Sequence, residues 1–458
     1  MRAVSEGGRG MSTYREEGTW TTVRESGAGS DLTGPLPAAP NPVPSTRPAS
    51  TGSRFHPRRV LLLGGDSDWN LGDQAIQSAV CHGLSQADPD VRITITSDLP
   101  RDAITARQLP NVVGAVPLRP SGIGALLASA AEQDLVLLSG GGLFQDDDSR
   151  VKMPYWALRL ALLRRACPRI RGLSVGAGPL ERRESRYWSR RAEASMDALS
   201  VRDPFAAAWM ERCLGRQVPL VPDPAFLMEP APRWRADALL RGHGIHPDTP
   251  LIGVAMRRWF HPRGGFLPHR WRFRLGIGDP GLSPVMLRCL DQLAGALRQL
   301  SDELGAQVVF LPTYPLPDEG DVAVCEALAS RQPEEQRRVL ILRDPALYKA
   351  VAGRLKLMIS GRMHPLILAA GMGVPGVGLA YNGKFNGLYK MFGIAPRVVP
   401  LERFRDGEGG QAVVTKARDA LVRDGDLADR ARGLSTQVRD AIDKTLAAVP
   451  ARGAEVRP

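Results

Sequence analysis

Residues 355–391 read LKLMISGRMHPLILAAGMGVPGVGLAYNGKFNGLYKM, and this stretch decides the fold. Leu355 to Ile359 is an apolar run too short to span a membrane and suited to a buried strand. Ser360 and Gly361 break it, and Pro365 falls where the first turn of a helix tolerates a missing N–H. Leu366 to Ala370 then reads as helix, Gly371 and Gly373 end it, and Val374 to Tyr381 forms a second buried strand. The unit is strand–helix–strand, with Arg362 and His364 at its strand-to-helix turn. Such a turn aims free backbone N–H groups and the positive end of the helix dipole at any anion that docks there. A fixed guanidinium and an imidazole at that point suit a phosphorylated or carboxylated ligand, and Lys384 lies along the same rim. A histidine near a helix start also serves as a simple capping or surface residue. Its position with Arg362 at the carboxyl end of a strand, where open α/β sheets bind ligands, gives the functional reading equal standing.

The same βα alternation extends in both directions. Toward the amino terminus it predicts strands Val60–Leu63, Val91–Thr96, Leu135–Leu138, Ile170–Val175, Ala198–Val201 and Val218–Val221, with helices between them. A second series follows: strand Leu251–Met256, helix Pro284–Leu304, strand Gln307–Leu311, helix Asp321–Ser330, strand Val339–Leu342 and helix Pro345–Ala352. Strands alternating with helices predict α/β architecture, two Rossmann-like domains with parallel sheets. A Pro- and Arg-rich passage around Glu229 to Pro250 reads as the boundary. The organisation expected is a disordered tail over 1–57, rich in Gly, Ser, Thr and Pro, an amino-terminal domain over 58–235 on the acceptor side, a carboxy-terminal domain over 236–400 on the donor side, and helices over 401–458 packing back across both. Met11 is a second candidate start. The loop from Phe260 to Ser283, with Trp271 among several Arg and His, is long enough to read as functional and is expected to shape the acceptor side.

The chain has 458 residues and a formal charge of +12, carried largely by arginine spread along its length. That distribution does not mark a nucleic-acid face, and fits an acidic substrate or peripheral membrane contact. Five cysteines, widely spaced and without a CxxC pair, predict neither a disulfide framework nor zinc. With no signal segment and no apolar run of roughly 18 residues, the expectation is a cytoplasmic protein.

The loop GGDSDWNLGDQ after the first strand is neither GxGxxG nor a Walker loop. Asn70 and Gly72 are candidate ligand contacts in it, and Asp73 reads either as the helix cap or as a proton acceptor, the cap being the stronger reading. Gly141 and Gly142, with Asp146 nearby, make a second glycine-rich strand end where a ligand can approach the backbone. Asp203 and Asp223 each precede proline, which turn formation explains as well as chemistry does. No HExxH, nucleophile elbow or metal-ligand spacing occurs, so no metal is expected.

The order of these motifs is more specific than any one of them. NLGDQAI, SGGGLFQDD, GAGPL, SVRDP, PDPAFLM, GVAMR and then SGRMHPLILAAGMGVPGVGLAYNGK resemble the polysaccharide pyruvyl transferase family from about Val60 to Gly393. Gln74, Asn382 and the long insertion after Arg258 depart from the family pattern. The resemblance implies a two-domain GT-B-like fold and transfer of pyruvate from phosphoenolpyruvate, the donor substrate, onto two sugar hydroxyls as a ketal, with no cofactor. It implies that Arg257, Arg362 and Lys384 hold the donor's anionic groups, that His364 protonates its methylene carbon, and that Asp73 or Asp146 accepts from the hydroxyls of a glycan or lipid-linked sugar. Two rivals are a GT-B nucleotide-sugar glycosyltransferase, which shares the architecture, and a non-catalytic module that binds a polyanion.

Overall fold

The computed structural model describes residues 58–449, apart from 66–67, 148, 247, 260–272, 274, 276–280 and 424. The tail over 1–57 and nearly all of the Arg- and Trp-bearing loop after Trp259 lie outside the described residues. The rest is built on two parallel sheets. The first contains β1 (Arg59–Leu63), β2 (Arg92–Thr96), β3 (Val112–Val116), β4 (Leu135–Ser139), β5 (Gly142–Phe144), β6 (Ile170–Ala177) and β7 (Ala198–Val201), in the order β3-β2-β1-β4-β6, with β5 and β7 both pairing with β6. The second contains β8 (Leu251–Ala255), β9 (Gln307–Phe310), β10 (Arg338–Val339), β11 (Leu357–Ser360), β12 (Gly376–Ala380) and β13 (Val398–Pro400), in the order β10-β9-β8-β11-β12-β13. β8 and β11 therefore lie side by side where the winding reverses, and ligands of such sheets bind beyond the carboxyl ends at that point. β1 and β4 are the equivalent pair in the first sheet. Every residue of β4, β8, β11 and β12 is buried, which is why these strands read as continuous apolar runs.

Three expectations need correction. Val218–Val221 is no strand; only an isolated bridge joins Leu220 to Val201, because proline at 219 and 222 limits ladder bonding. Asp73 does not cap its helix, α1 (Leu71–Ala87); the side chain of Asn70 does, accepting from the N–H of Gly72 at 3.0 Å and of Asp73 at 3.4 Å. The helix after β11 begins at Met363 rather than Leu366, so His364 lies inside its first turn. Other elements gave no clear sequence signal: β3, β5 within the glycine run, the helix Arg233–Gly242 inside the boundary passage, and the helix Lys384–Phe392.

Apolar clusters cover the outer face of each sheet, and a third is shared by both halves. The shared one joins Val60 and Ile76 to Leu251 and Met358, and includes Val438 and Ile442 of the last helix, Leu427–Ala447. That helix returns to pack on α1 and on the turn Pro224–Leu227. Gly83 is the notch that receives it: a Cβ there would stand 2.5 Å from Ile442 Cδ1 and 3.1 Å from Leu227 Cδ2. Ile442 is fully buried, so Ile442→Ala is expected to lower stability by about 2–5 kcal/mol, read as a shift in the urea midpoint. A loss below about 0.5 kcal/mol, the size of an ordinary surface substitution, would mean that the helix only rests on the surface.

Candidate active site

The carboxyl ends of the two sheets face one another across a cavity of about 610 Å³. The first sheet supplies Asn70, Asp73, Gly141, Gly142, Asp147 and Arg202; the second supplies Arg257, Glu319, Arg362, His364, Tyr381 and Lys384. A backbone bond closes one side, from Leu71 N–H at the start of α1 to the Thr313 carbonyl at 3.1 Å.

His364 is held by packing and by charge. Its ring lies directly over Gly72: a Cβ at Gly72 would stand 1.9 Å from Nδ1, so only glycine permits this approach. Nε2 lies 3.6 Å from a carboxylate oxygen of Asp223, charge-pair range rather than a hydrogen bond. The same oxygen accepts from the Arg202 guanidinium at 3.1 Å, and the other caps the turn Pro224–Leu227 through Ala225 N–H at 3.0 Å. Burial works to raise the pKa of Asp223; His364, Arg202 and the Ala225 N–H outweigh it and hold the carboxyl at about 2. Asp223 is thus both the turn former expected and the partner that orients the imidazole, which sequence alone did not reveal.

On the second sheet, Arg257 follows β8 and Arg362 follows β11. Arg362 forms a fork on Asp321, Nε at 3.0 Å and an Nη at 2.5 Å, and reaches Glu319 at 3.1 Å. Arg257 reaches the same Glu319 oxygen at 3.0 Å and the Tyr381 hydroxyl at 3.1 Å, with its guanidinium 5.0 Å from the centre of the Tyr381 ring. Burial alone disfavours the charge on Arg362, but Asp321 and Glu319 hold it protonated, above the ordinary guanidinium range. Lys384 is also buried, which pulls its pKa down; its ammonium donates to the Gln145 side chain at 2.5 Å, linking the two halves.

The first sheet's carboxylates take separate positions. Asp73 lines the cavity and accepts from Gly141 N–H at 3.2 Å. The Asp146 carboxylate turns away, accepting from Arg182 N–H at 2.9 Å, and lines a neighbouring cavity. Asp147 lines both cavities, and its buried Oδ1 has no hydrogen-bond partner among the described residues. The structure therefore brings together His364, Asp73, Arg257, Arg362, Lys384, Asn70, Gly72, Gly141 and Gly142, and sets Asp146 outside. It adds Asp223, Arg202, Glu319, Asp321, Gln145 and Asp147. Among the described residues no group of three or more His, Cys, Asp or Glu could hold a metal, and no helix is long and apolar enough to cross a membrane.

Two facing parallel sheets with this order define a GT-B-like fold. Solved structures with this fold include a protein assigned as UDP-N-acetylglucosamine 2-epimerase from Listeria monocytogenes (15% identity, TM-score 0.53, covering 88% of this chain and 98% of that one). The UDP-GlcNAc 2-epimerase of Neisseria meningitidis bound to UDP-GlcNAc is also similar (9% identity, TM-score 0.52, 85% and 100%). No curated protein sequence matches the chain. The sequence profile of the polysaccharide pyruvyl transferases matches residues 70–383, a span that contains all of the cavity except Gly65, Asp68, Lys384 and Phe385. The chain belongs to the polysaccharide pyruvyl transferase family and is a polysaccharide-modifying transferase.

The Asp223 carboxyl gives a direct check on the His364 anchor. Its folded pKa lies below the ordinary 3.8, so its contribution to stability is fully present above pH 3.8 and is lost as pH falls through about 2. The stability gap between wild type and Asp223→Asn is expected to be on the order of 2 kcal/mol above pH 4 and to narrow below it, read from urea midpoints between pH 6 and pH 2. A gap that stays constant with pH would show that the carboxylate is not held by charge.

Proposed function

We propose that the cavity transfers pyruvate from phosphoenolpyruvate to two hydroxyls of a polysaccharide or of its lipid-linked precursor, forming a cyclic ketal without a cofactor. One observation carries this reading: two largely buried guanidiniums, Arg257 and Arg362, converge on a single, partly exposed carboxylate, Glu319, in the cavity that His364 lines. Asp321, wholly buried, fixes the fork of Arg362 and stays. Glu319 occupies the position of a ligand anion and yields to one. Phosphate or carboxylate of the donor then takes over its bonds, since guanidinium forks match both groups, and Lys384 lies on the same wall. Cations that are buried and shared with carboxylates suit a small dianion better than the backbone of a polyanion.

The chemistry balances with groups already in the cavity. His364 gives a proton to the methylene carbon of the donor, and C2 becomes electrophilic. One sugar hydroxyl adds to C2 and passes its proton to Asp73 or Asp147. The C2–O bond to phosphate breaks, inorganic phosphate leaves carrying a proton, and the second hydroxyl closes the ring as it loses its own. Asp223 keeps the imidazolium oriented and compensates its charge. Closure between the two sheets excludes water, which otherwise competes for C2.

A thermal-shift comparison separates this donor from its rival. Phosphoenolpyruvate is expected to raise the melting temperature where UDP-hexoses do not, and the reverse would favour a nucleotide-sugar glycosyltransferase. His364→Asn is expected to stay folded and bind the donor while phosphate release falls roughly 10²–10⁴-fold, the usual worth of a general acid. Near wild-type turnover in that variant would remove His364 from the mechanism. Arg362→Lys is the informative change at its position, because Arg362→Ala also takes from buried Asp321 the cation it is paired with, which costs about 3–5 kcal/mol.

Glu319→Gln removes the competing charge and keeps the shape. It is expected to bind phosphoenolpyruvate up to about tenfold more tightly, measured by calorimetry. Weaker binding would mean that Glu319 supports the site rather than holding it for the ligand.

A further inference from the structure

Beside the reaction cavity lies a second one of about 580 Å³, shared between the two halves. The first half contributes Phe205 and Trp209 from the helix Pro204–Leu214; the second contributes Tyr381, Asn382 and Gly383 after β12. Phe205 and Trp209 meet edge to face with centroids 6.4 Å apart, and both are only partly buried. The two cavities share Tyr381 and Asp147. Tyr381 stacks on Arg257 on the reaction side, and the Asp147 Oδ1 at the junction lacks a partner among the described residues. Asn382 accepts Lys384 N–H through Oδ1 at 3.2 Å, which fixes the amide, while its Nδ2 has no hydrogen-bond partner among the described residues.

We infer that this second cavity is a binding subsite for a further sugar residue of the acceptor, so the transferase recognises a glycan of at least two residues rather than a free monosaccharide. This rests on the glycan-transfer reading above. The chemistry of the walls points to a neutral, hydroxylated ligand. Aromatic rings offer flat apolar faces for the C–H faces of a pyranose, and an idle carboxylate oxygen and amide NH₂ offer one acceptor and one donor to its hydroxyls. An anion is disfavoured because Asp146, Asp147 and Glu181 all line the cavity, while Arg182, the cation there, is engaged with the Asp146 carbonyl. A polar group left unpaired in a buried site weakens binding of any ligand that cannot satisfy it, so Asn382 and Asp147 select for hydroxyls. Asp147 at the junction places one residue's hydroxyls toward C2 of the donor while the next residue lies on Trp209. Binding energy from that remote residue then orients the reacting one.

The test uses the full chain labelled with 5-fluorotryptophan, the Trp209 resonance being assigned by its loss in Trp209→Phe. It is titrated with ladders of one to four glucose, galactose or mannose residues in the absence of phosphoenolpyruvate. The Trp209 resonance is expected to move with a ladder from two residues upward and not with its monosaccharide. In phosphate-release assays, acceptor KM should fall about tenfold on going from one to two residues, a gain of 1.4 kcal/mol. Asn382→Asp keeps the bond to Lys384 N–H and removes the NH₂ donor; it and Trp209→Phe should each erase most of that gain while leaving the KM for phosphoenolpyruvate unchanged. A Trp209 signal silent to every ladder, or variants that weaken short and long acceptors equally, would overturn the subsite. A moving Trp209 signal without phosphate release would keep the subsite and reject pyruvyl transfer, so the two readings fail separately.

Discussion

An imidazole pressed onto a bare Cα organises this molecule. His364, from the second sheet, lies on Gly72 at the start of α1, from the first, and faces Asp223 at 3.6 Å. Any side chain at position 72 would push the ring aside, and any parting of the halves would take the imidazole away from the Asp223 carboxylate. The imidazole is therefore held in place only when the two halves are together. The shared apolar cluster and the returning helix Leu427–Ala447 support that arrangement from behind. Stability of the contact between the halves and geometry of the site are one property here.

The charges around the cavity follow the same logic. Two guanidiniums could not be buried in an empty cleft without counter-charges, and Glu319 and Asp321 supply them in unequal ways. Asp321 is sealed beneath Arg362, whereas the Glu319 side chain is 28% exposed. One carboxylate is thus sealed into the fold and the other stays open to the cavity. Under the proposed function, that inequality lets a site for an anionic donor stand as a stable structure before the donor arrives.

The sequence revealed the parallel α/β plan and the turn carrying Arg362 and His364, because buried parallel strands read as short apolar runs that end in small residues. It also picked out Asn70, Asp73, Gly141, Gly142, Arg257, Arg362, His364 and Lys384, which line the cavity. What it missed depends on contacts between distant segments. Asp223 looked like a turn residue, and it is one, but its link to His364 exists only once the two sheets meet. Asn70 and Asp73 both suit a cap, and only the path of the chain decides that Asn70 takes it while Asp73 reaches Gly141. Adjacent residues on a loop point in different directions, so the pattern QDDD could not say that Asp147 lines the reaction cavity and Asp146 does not. The helix Arg233–Gly242 was hidden by the prolines and arginines that made its region look like a linker.

Proton delivery to the donor's methylene carbon is the step on which the proposed chemistry turns, and its product records it. Turnover in D₂O with phosphoenolpyruvate and a glycan acceptor, followed by mass and NMR analysis of the glycan, tests it directly. The account predicts one pyruvate ketal and one inorganic phosphate per event, with a single deuterium in the ketal methyl. A glycan that gains no pyruvate, or a ketal methyl without solvent deuterium, would contradict it.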